Sequence, residues 1–391
     1  MRHIFILILT GLLLTGCASA PQPPEPVSTI PTTETTSPAT QPETIPEETI
    51  PEETCLPEDP IESLMNVMST EEKVGQLFLA RCSKEIALQD LQQYHLGGYI
   101  LFGRDFQGQT PDTLRQTLAS YQNAAPIPLL IAVDEEGGTV CRVSSNAAFR
   151  SRRFPSPREA MAAGGMEAVL AAETEKAALL RDLGINVNMG PVCDITTGFG
   201  AFMHDRSLGE SPEETSRFVA NTVRILENHN VGSVLKHFPG YGNNADTHTD
   251  IVRDERSLEE LEQVDLLPFA AGIDSGCGAI LMSHNIVTAL DDTSPATLSP
   301  AVHQYLRAEM GFDGVIVTDD LVMQAITDSY GAGESAVLAL LAGNDLLCST
   351  EYAVQYTAVL EAVESGRISE ELLNSAVYRI LSWKKNLGLI F

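Results

Sequence analysis

The acids, bases and cations most able to do chemistry in this chain sit where short apolar runs end. Asp134 closes PLLIAVD, Asp194 follows INVNMGP, Lys236 and His237 close VGSVLKH, His284 lies at the end of AILMSHN, and Asp319 with Asp320 close GVIVTDD. Taken singly, each could cap the next helix or satisfy a loop. Together they describe one polar mouth at the carboxyl ends of several strands. The densest group is KHFPGYGNNADTHTD, which begins in a strand and runs into a Gly- and Pro-punctuated loop carrying Asp246 and His248. An Asp two residues before a His can hold the imidazole and favour its protonated form, which suits a general acid near neutral pH. A metal site built from His237, Asp246 and His248 is disfavoured by the neighbouring ammonium of Lys236.

Those ends need a scaffold, and the runs supply it. Eight apolar runs, at 74–80, 97–103, 128–134, 185–191, 231–237, 279–285, 314–320 and 344–350, alternate with helix-length segments. Near-continuous apolar strands between helices mark a parallel sheet covered on both faces. Eight such units fit a (β/α)8 barrel, whose functional groups gather at the carboxyl ends of its strands; a doubly wound open sheet is the alternative. The segment from Pro212 to Asn230 has Phe218, Val219, Val223 and Leu226 at helical spacing behind a Ser211 cap. A final helical pattern, SEELLNSAVYRILSWKKNLGL, closes the barrel region at 61–391, and no second domain is expected after it.

The first sixty residues read differently. Arg2 and His3 precede the apolar run IFILILTGLLLTG, shorter than the ~20 residues of a spanning helix, so residues 1–16 read as an export signal. Leu14-Thr15-Gly16-Cys17 resembles a bacterial lipobox, which implies lipidation of Cys17 and a protein anchored outside the cytoplasm. Between Ala18 and Pro60 there are nine Asp or Glu, eleven prolines and no Lys or Arg, so residues 17–60 are expected to be an unstructured tether. At ~3.1 Å per residue it could reach roughly 130 Å.

The whole chain of 391 residues has 24 Lys plus Arg against 53 Asp plus Glu, a net charge of −29, which excludes a nucleic-acid binder acting by charge neutralisation. The seven cysteines form no C-x-x-C pair, arguing against zinc ribbons and dithiol redox chemistry; Cys82, Cys193, Cys277 and Cys348 read as small core residues.

KHFPGYGNNADTH, with DEEGGTVCR, GPVCDI, HDRSLG and VIVTDDLVMQAI in order, resembles family 3 glycoside hydrolases, specifically the β-N-acetylglucosaminidase branch in its single-barrel form. The resemblance implies a (β/α)8 barrel and a retaining mechanism. It makes Asp319 the nucleophile, His248 the acid/base and Asp246 the partner that orients His248. It places Asp134, Arg142, Arg206, Lys236 and His237 at sugar-binding positions, with a GlcNAc-terminated saccharide as substrate and no cofactor. Its more familiar form has a second His where Tyr241 stands here, and a loop one residue longer between the Lys-His pair and the acid/base. Alternatives on the same barrel are a β-glucosidase and a GlcNAc phosphorylase; outside enzymes, a sugar-binding lipoprotein.

Overall fold

In a computed structural model, residues 59–391 are described apart from 197, 245–251, 323–325 and 327–329. The expected lipidation site Cys17, residues 17–58 of the tether, and the expected acid/base pair Asp246 and His248 therefore lie outside the described residues. Asp59 and Pro60, expected to end the tether, instead begin the helix Pro60–Val67, with Asp59 Oδ1 accepting from Ile61 N at 2.9 Å.

The eight apolar runs form eight parallel strands: β1 (Phe78–Arg81), β2 (Gly98–Leu101), β3 (Leu130–Val133), β4 (Val187–Asn188), β5 (Gly232–Phe238), β6 (Ala279–Met282), β7 (Val315–Thr318) and β8 (Leu347–Ser349). They hydrogen-bond in the order β7-β6-β5-β4-β3-β2-β1-β8. A parallel bridge between Val317 and Leu346, with Thr318 N–H donating to Leu346 O at 3.0 Å, joins β7 to the start of β8 and rounds the sheet into a barrel. The (β/α)8 expectation holds, and the open doubly wound sheet does not.

Strand limits moved where side chains or caps intervened. The run beginning at Val74 starts in the helix Thr70–Gln76, fixed by a reciprocal capping box between Ser69 and Glu72, so β1 begins only at Phe78. β4 is only two residues long because asparagine side chains replace part of its ladder. Asn186 Oδ1 accepts from Ile131 N at 2.8 Å and Asn188 Oδ1 accepts from Glu135 N at 3.1 Å. The helix Pro212–Asn228 starts behind Ser211, whose Oγ accepts from Glu214 N at 3.3 Å, and buries Phe218, Val219, Val223 and Leu226. Cys82, Cys193, Cys277 and Cys348 are buried, and Cys141 joins them. Among the described residues, no helix is long and apolar enough to cross a membrane.

The helix Glu370–Asn386 plugs the amino-terminal end of the barrel. Its Trp383 ring occupies space left by Gly232 and Gly278, at the feet of β5 and β6; a Cβ on Gly278 would sit 2.0 Å from Trp383 Nε1. The neighbouring Lys384 is fully buried, with Nζ donating to Gln76 Oε1 at 2.7 Å. Burial holds its ammonium down, to about 7. Between pH 7 and the ordinary lysine range the unfolded chain then binds the extra proton, so this residue makes stability rise with pH across that window. We expect Lys384→Met to remove that rise, measured as urea midpoints for wild type and variant from pH 7 to 10. An unchanged pH slope would show that Lys384 is not its source.

Candidate active site

At the carboxyl ends of the strands a cavity of 750 Å³ is lined by Asp134, Arg142, Arg206, Lys236, His237 and Asp319. All the sequence-expected site residues that the structure describes therefore face one space.

Alternation along the chain after β3 sets one wall. Asp134 and Glu136 turn inward, whereas Glu135 between them turns away and accepts from Val143 N at 2.7 Å and from the hydroxyl of Ser144. That anchors the hairpin of Glu135–Gly137 and Val140–Cys141 beside the mouth. Its turn needs φ of 109° at Gly137, where a Cβ would also meet Pro155 O at 2.1 Å. The sharp turn expected after Asp134 is thus present.

β5 supplies the opposite partners. Its register shifts between Leu235 and Phe238, so the consecutive residues Lys236 and His237 both line the cavity. The Lys236–His237 and Phe238–Pro239 peptide bonds are cis. Lys236 Nζ lies 2.7 Å from Asp134 Oδ1 and 2.6 Å from Glu136 Oε1. Arg206, in the loop after β4, grips Glu136 with both arms of its fork, Nε to Oε2 at 2.9 Å and Nη2 to Oε1 at 2.7 Å. Burial alone would raise the Glu136 carboxyl, but the two cations prevail and hold it well below the usual carboxylate range. Burial likewise works against the Lys236 ammonium, and Asp134 with Glu136 reverse it, so it stays charged.

His237 is held from behind. Its Nδ1 lies 2.8 Å from Asp194 Oδ2, which places the proton there and leaves Nε2 to accept from Arg206 Nη2 at 3.3 Å. The other oxygen of Asp194 accepts from Tyr241 N at 2.8 Å. The Tyr241 ring stands edge-on to His237 with centroids 5.2 Å apart, so Tyr241 packs as a buried wall against that imidazole.

The two acids after β7 differ in what they do. Asp320 is tied to the start of the next loop, accepting from Thr350 Oγ1 at 2.6 Å, Thr350 N at 3.2 Å and Val322 N at 3.2 Å. Burial pushes its carboxyl up. Asp319 accepts from Asp320 N at 2.8 Å and faces the cavity. His284 is structural: its Nδ1 pairs with Thr297 Oγ1 at 2.8 Å, and its Nε2 lies 3.3 Å from Asp320 O.

Sequence reasoning missed Glu136, Arg81 and Phe102, and left Asp194 without a role. Glu136 was available from the period-2 rule, two residues beyond Asp134. Arg81 is the polar residue that ends the first run, one position beyond where that run was closed.

A parallel (β/α)8 barrel whose carboxyl rim gathers carboxylates and hydrogen-bond donors around one cavity has the architecture of a glycoside hydrolase. The model of the glycosyl hydrolase family 3 N terminal domain matches residues 69–383, and the chain belongs to this family. A β-hexosaminidase of Xanthomonas oryzae pv. oryzae is 31% identical over 321 residues, covering 78% of this chain and 93% of that protein. Among solved structures, a family 3 β-N-acetylglucosaminidase from a Paenibacillus species superposes with a TM-score of 0.77 at 36% identity, over 82% of this chain and 63% of its own. A β-N-acetylhexosaminidase from Beutenbergia cavernae gives a TM-score of 0.72 at 26% identity, over 81% of this chain and 99% of its own.

Proposed function

We propose that this glycoside hydrolase is a retaining exo-β-N-acetylglucosaminidase acting on terminal β-linked GlcNAc of peptidoglycan-derived or related saccharides. The observation that carries the reading is the division of labour after β7: Asp320 is engaged by Thr350 and Val322, while Asp319 faces the cavity that Asp134, Arg206, Lys236 and His237 share. In this reading those four residues hold the sugar hydroxyls. Asp319 attacks the anomeric carbon and His248, oriented by Asp246, protonates the departing oxygen; water then releases the sugar with its β configuration kept. The activities of the similar proteins, a β-hexosaminidase and a β-N-acetylglucosaminidase, support the choice of GlcNAc over glucose.

The test compares aryl β-GlcNAc and aryl β-glucoside turnover, with the product anomer followed by NMR. Faster cleavage of the GlcNAc glycoside to the β-anomer is expected. Preference for the glucoside, or an α-product, would overturn the reading. Sugar binding without turnover would favour a binding lipoprotein.

The same proposal places the enzyme outside the cytoplasm on a lipid carried by Cys17, supported by the lipobox-like LTGC and the acidic, Pro-rich stretch after it. Metabolic labelling with palmitate should mark the wild type and leave Cys17→Ser unlabelled; equal labelling would refute the anchor.

A further inference from the structure

Among the described residues, two cations in the cavity have no carboxylate within ion-pair distance. Arg81, the last residue of β1, and Arg142, after the hairpin that follows Asp134, are half-buried and line the same space as Asp319. They are set against one aromatic ring, the guanidinium carbon of Arg81 4.4 Å and that of Arg142 5.6 Å from the centroid of Phe102. The Nε of each is buried without a hydrogen-bond partner. Every other cation of the site is matched: Lys236 with Asp134 and Glu136, and Arg206 with Glu136. Among the described residues, no carboxylate lies within ion-pair distance of Arg81 or Arg142, in a chain with 53 acids against 24 Lys plus Arg.

Buried donors without partners in a native protein call for an explanation, and a guanidinium is always charged. Stacking on Phe102 offsets part of the desolvation and fixes the planes, but it leaves the in-plane donors unused. Donors of this kind, set in a cavity, match a planar oxyanion that can accept two parallel N–H bonds.

We infer that Arg81 and Arg142, braced on Phe102, form an oxyanion-binding subsite beside the sugar-binding cluster. Its ligand is a carboxylate carried by the saccharide or, as a second source of the same chemistry, inorganic phosphate. The inference rests on the glycosidase reading above. With phosphate, an oxygen of the anion bonds the anomeric carbon as the ester bond to Asp319 breaks, giving the sugar 1-phosphate and the free aspartate.

The experiment uses the folded enzyme, a neutral aryl β-GlcNAc glycoside, and GlcNAc-terminated disaccharides whose second sugar carries either a carboxylate or the matching amide. The carboxylate substrate should have a KM at least about ten-fold below its amide, the size of a charge-assisted hydrogen bond. That ratio should collapse towards unity in Arg81→Gln and in Arg142→Gln, whatever their absolute rates. If phosphate is the ligand, the acid and amide behave alike, and phosphate instead yields sugar 1-phosphate with a dependence that both variants weaken. The subsite is refuted if neither the carboxylate nor phosphate has an effect that the two substitutions reduce. Turnover of the neutral glycoside reports separately on the glycosidase reading. Should that turnover be absent, calorimetric titration of wild type and variants with phosphate and with the carboxylate disaccharide still decides whether the arginines bind an oxyanion.

Discussion

Asp319→Asn should lower kcat on an aryl β-GlcNAc glycoside by about 10⁴-fold or more, the scale of losing a covalent nucleophile. The amide keeps the hydrogen bond from Asp320 N and nearly the same volume, so the fold should persist and the loss should be chemical. Asp320→Asn should behave differently. Its carboxylate accepts three hydrogen bonds, two of which tie the end of β7 to Thr350 after β8, and an amide can keep only some of them. We expect a stability cost of about 1–2 kcal/mol with turnover largely retained. A 2-fluoro sugar that accumulates the glycosyl-enzyme should label the peptide at Asp319. Label at Asp320, or comparable losses of kcat in the two variants, would reassign the nucleophile.

Glu136→Gln should cost both the fold and the substrate. The carboxylate lies between Arg206 and Lys236, and all three groups are largely shut off from water. Removing one charge from a buried cluster leaves its partners uncompensated, a penalty of about 3–5 kcal/mol. Lys236 retains Asp134, so Arg206 bears most of the loss and its hold on His237 Nε2 should slacken. A lowered urea midpoint with a raised KM is the expected result. Adding Lys236→Met to Glu136→Gln should recover part of the midpoint without restoring turnover, because the excess positive charge is relieved while a group proposed to bind the sugar is lost. A Glu136→Gln enzyme with wild-type stability and KM would show that the cluster is neither a structural nor a binding centre.

What was legible in the sequence follows from range. The eight strands were readable because burial on both faces makes each a local apolar run, and Ser211 announced its helix through a cap three residues long. The strand-end acids and bases were readable because the barrel brings all such ends to one rim. The run from Val74 misled because its first residues satisfy a helical turn closed by Ser69 and Glu72, which a search for apolar residues alone ignores. Glu136 directly follows Glu135, and only the alternation of side chains separates the one gripping Arg206 from the one holding the hairpin. Asp194 had no legible role, since its partners His237 and Tyr241 stand more than forty residues away in sequence. The pairing of Arg81 with Arg142 across Phe102 likewise exists only once β1, β2 and β3 lie side by side.

The stopper formed by Trp383 and Lys384 bears on the order of assembly. β1 pairs with β8 through Phe78 and Leu347, and the floor beneath β5 and β6 is filled by an indole still further along the chain. During synthesis, the strands therefore emerge long before the piece that seals them. An interrupted chain ending before this helix would present the barrel's greasy underside to other unfinished copies, so early termination should produce aggregates rather than a weakened enzyme.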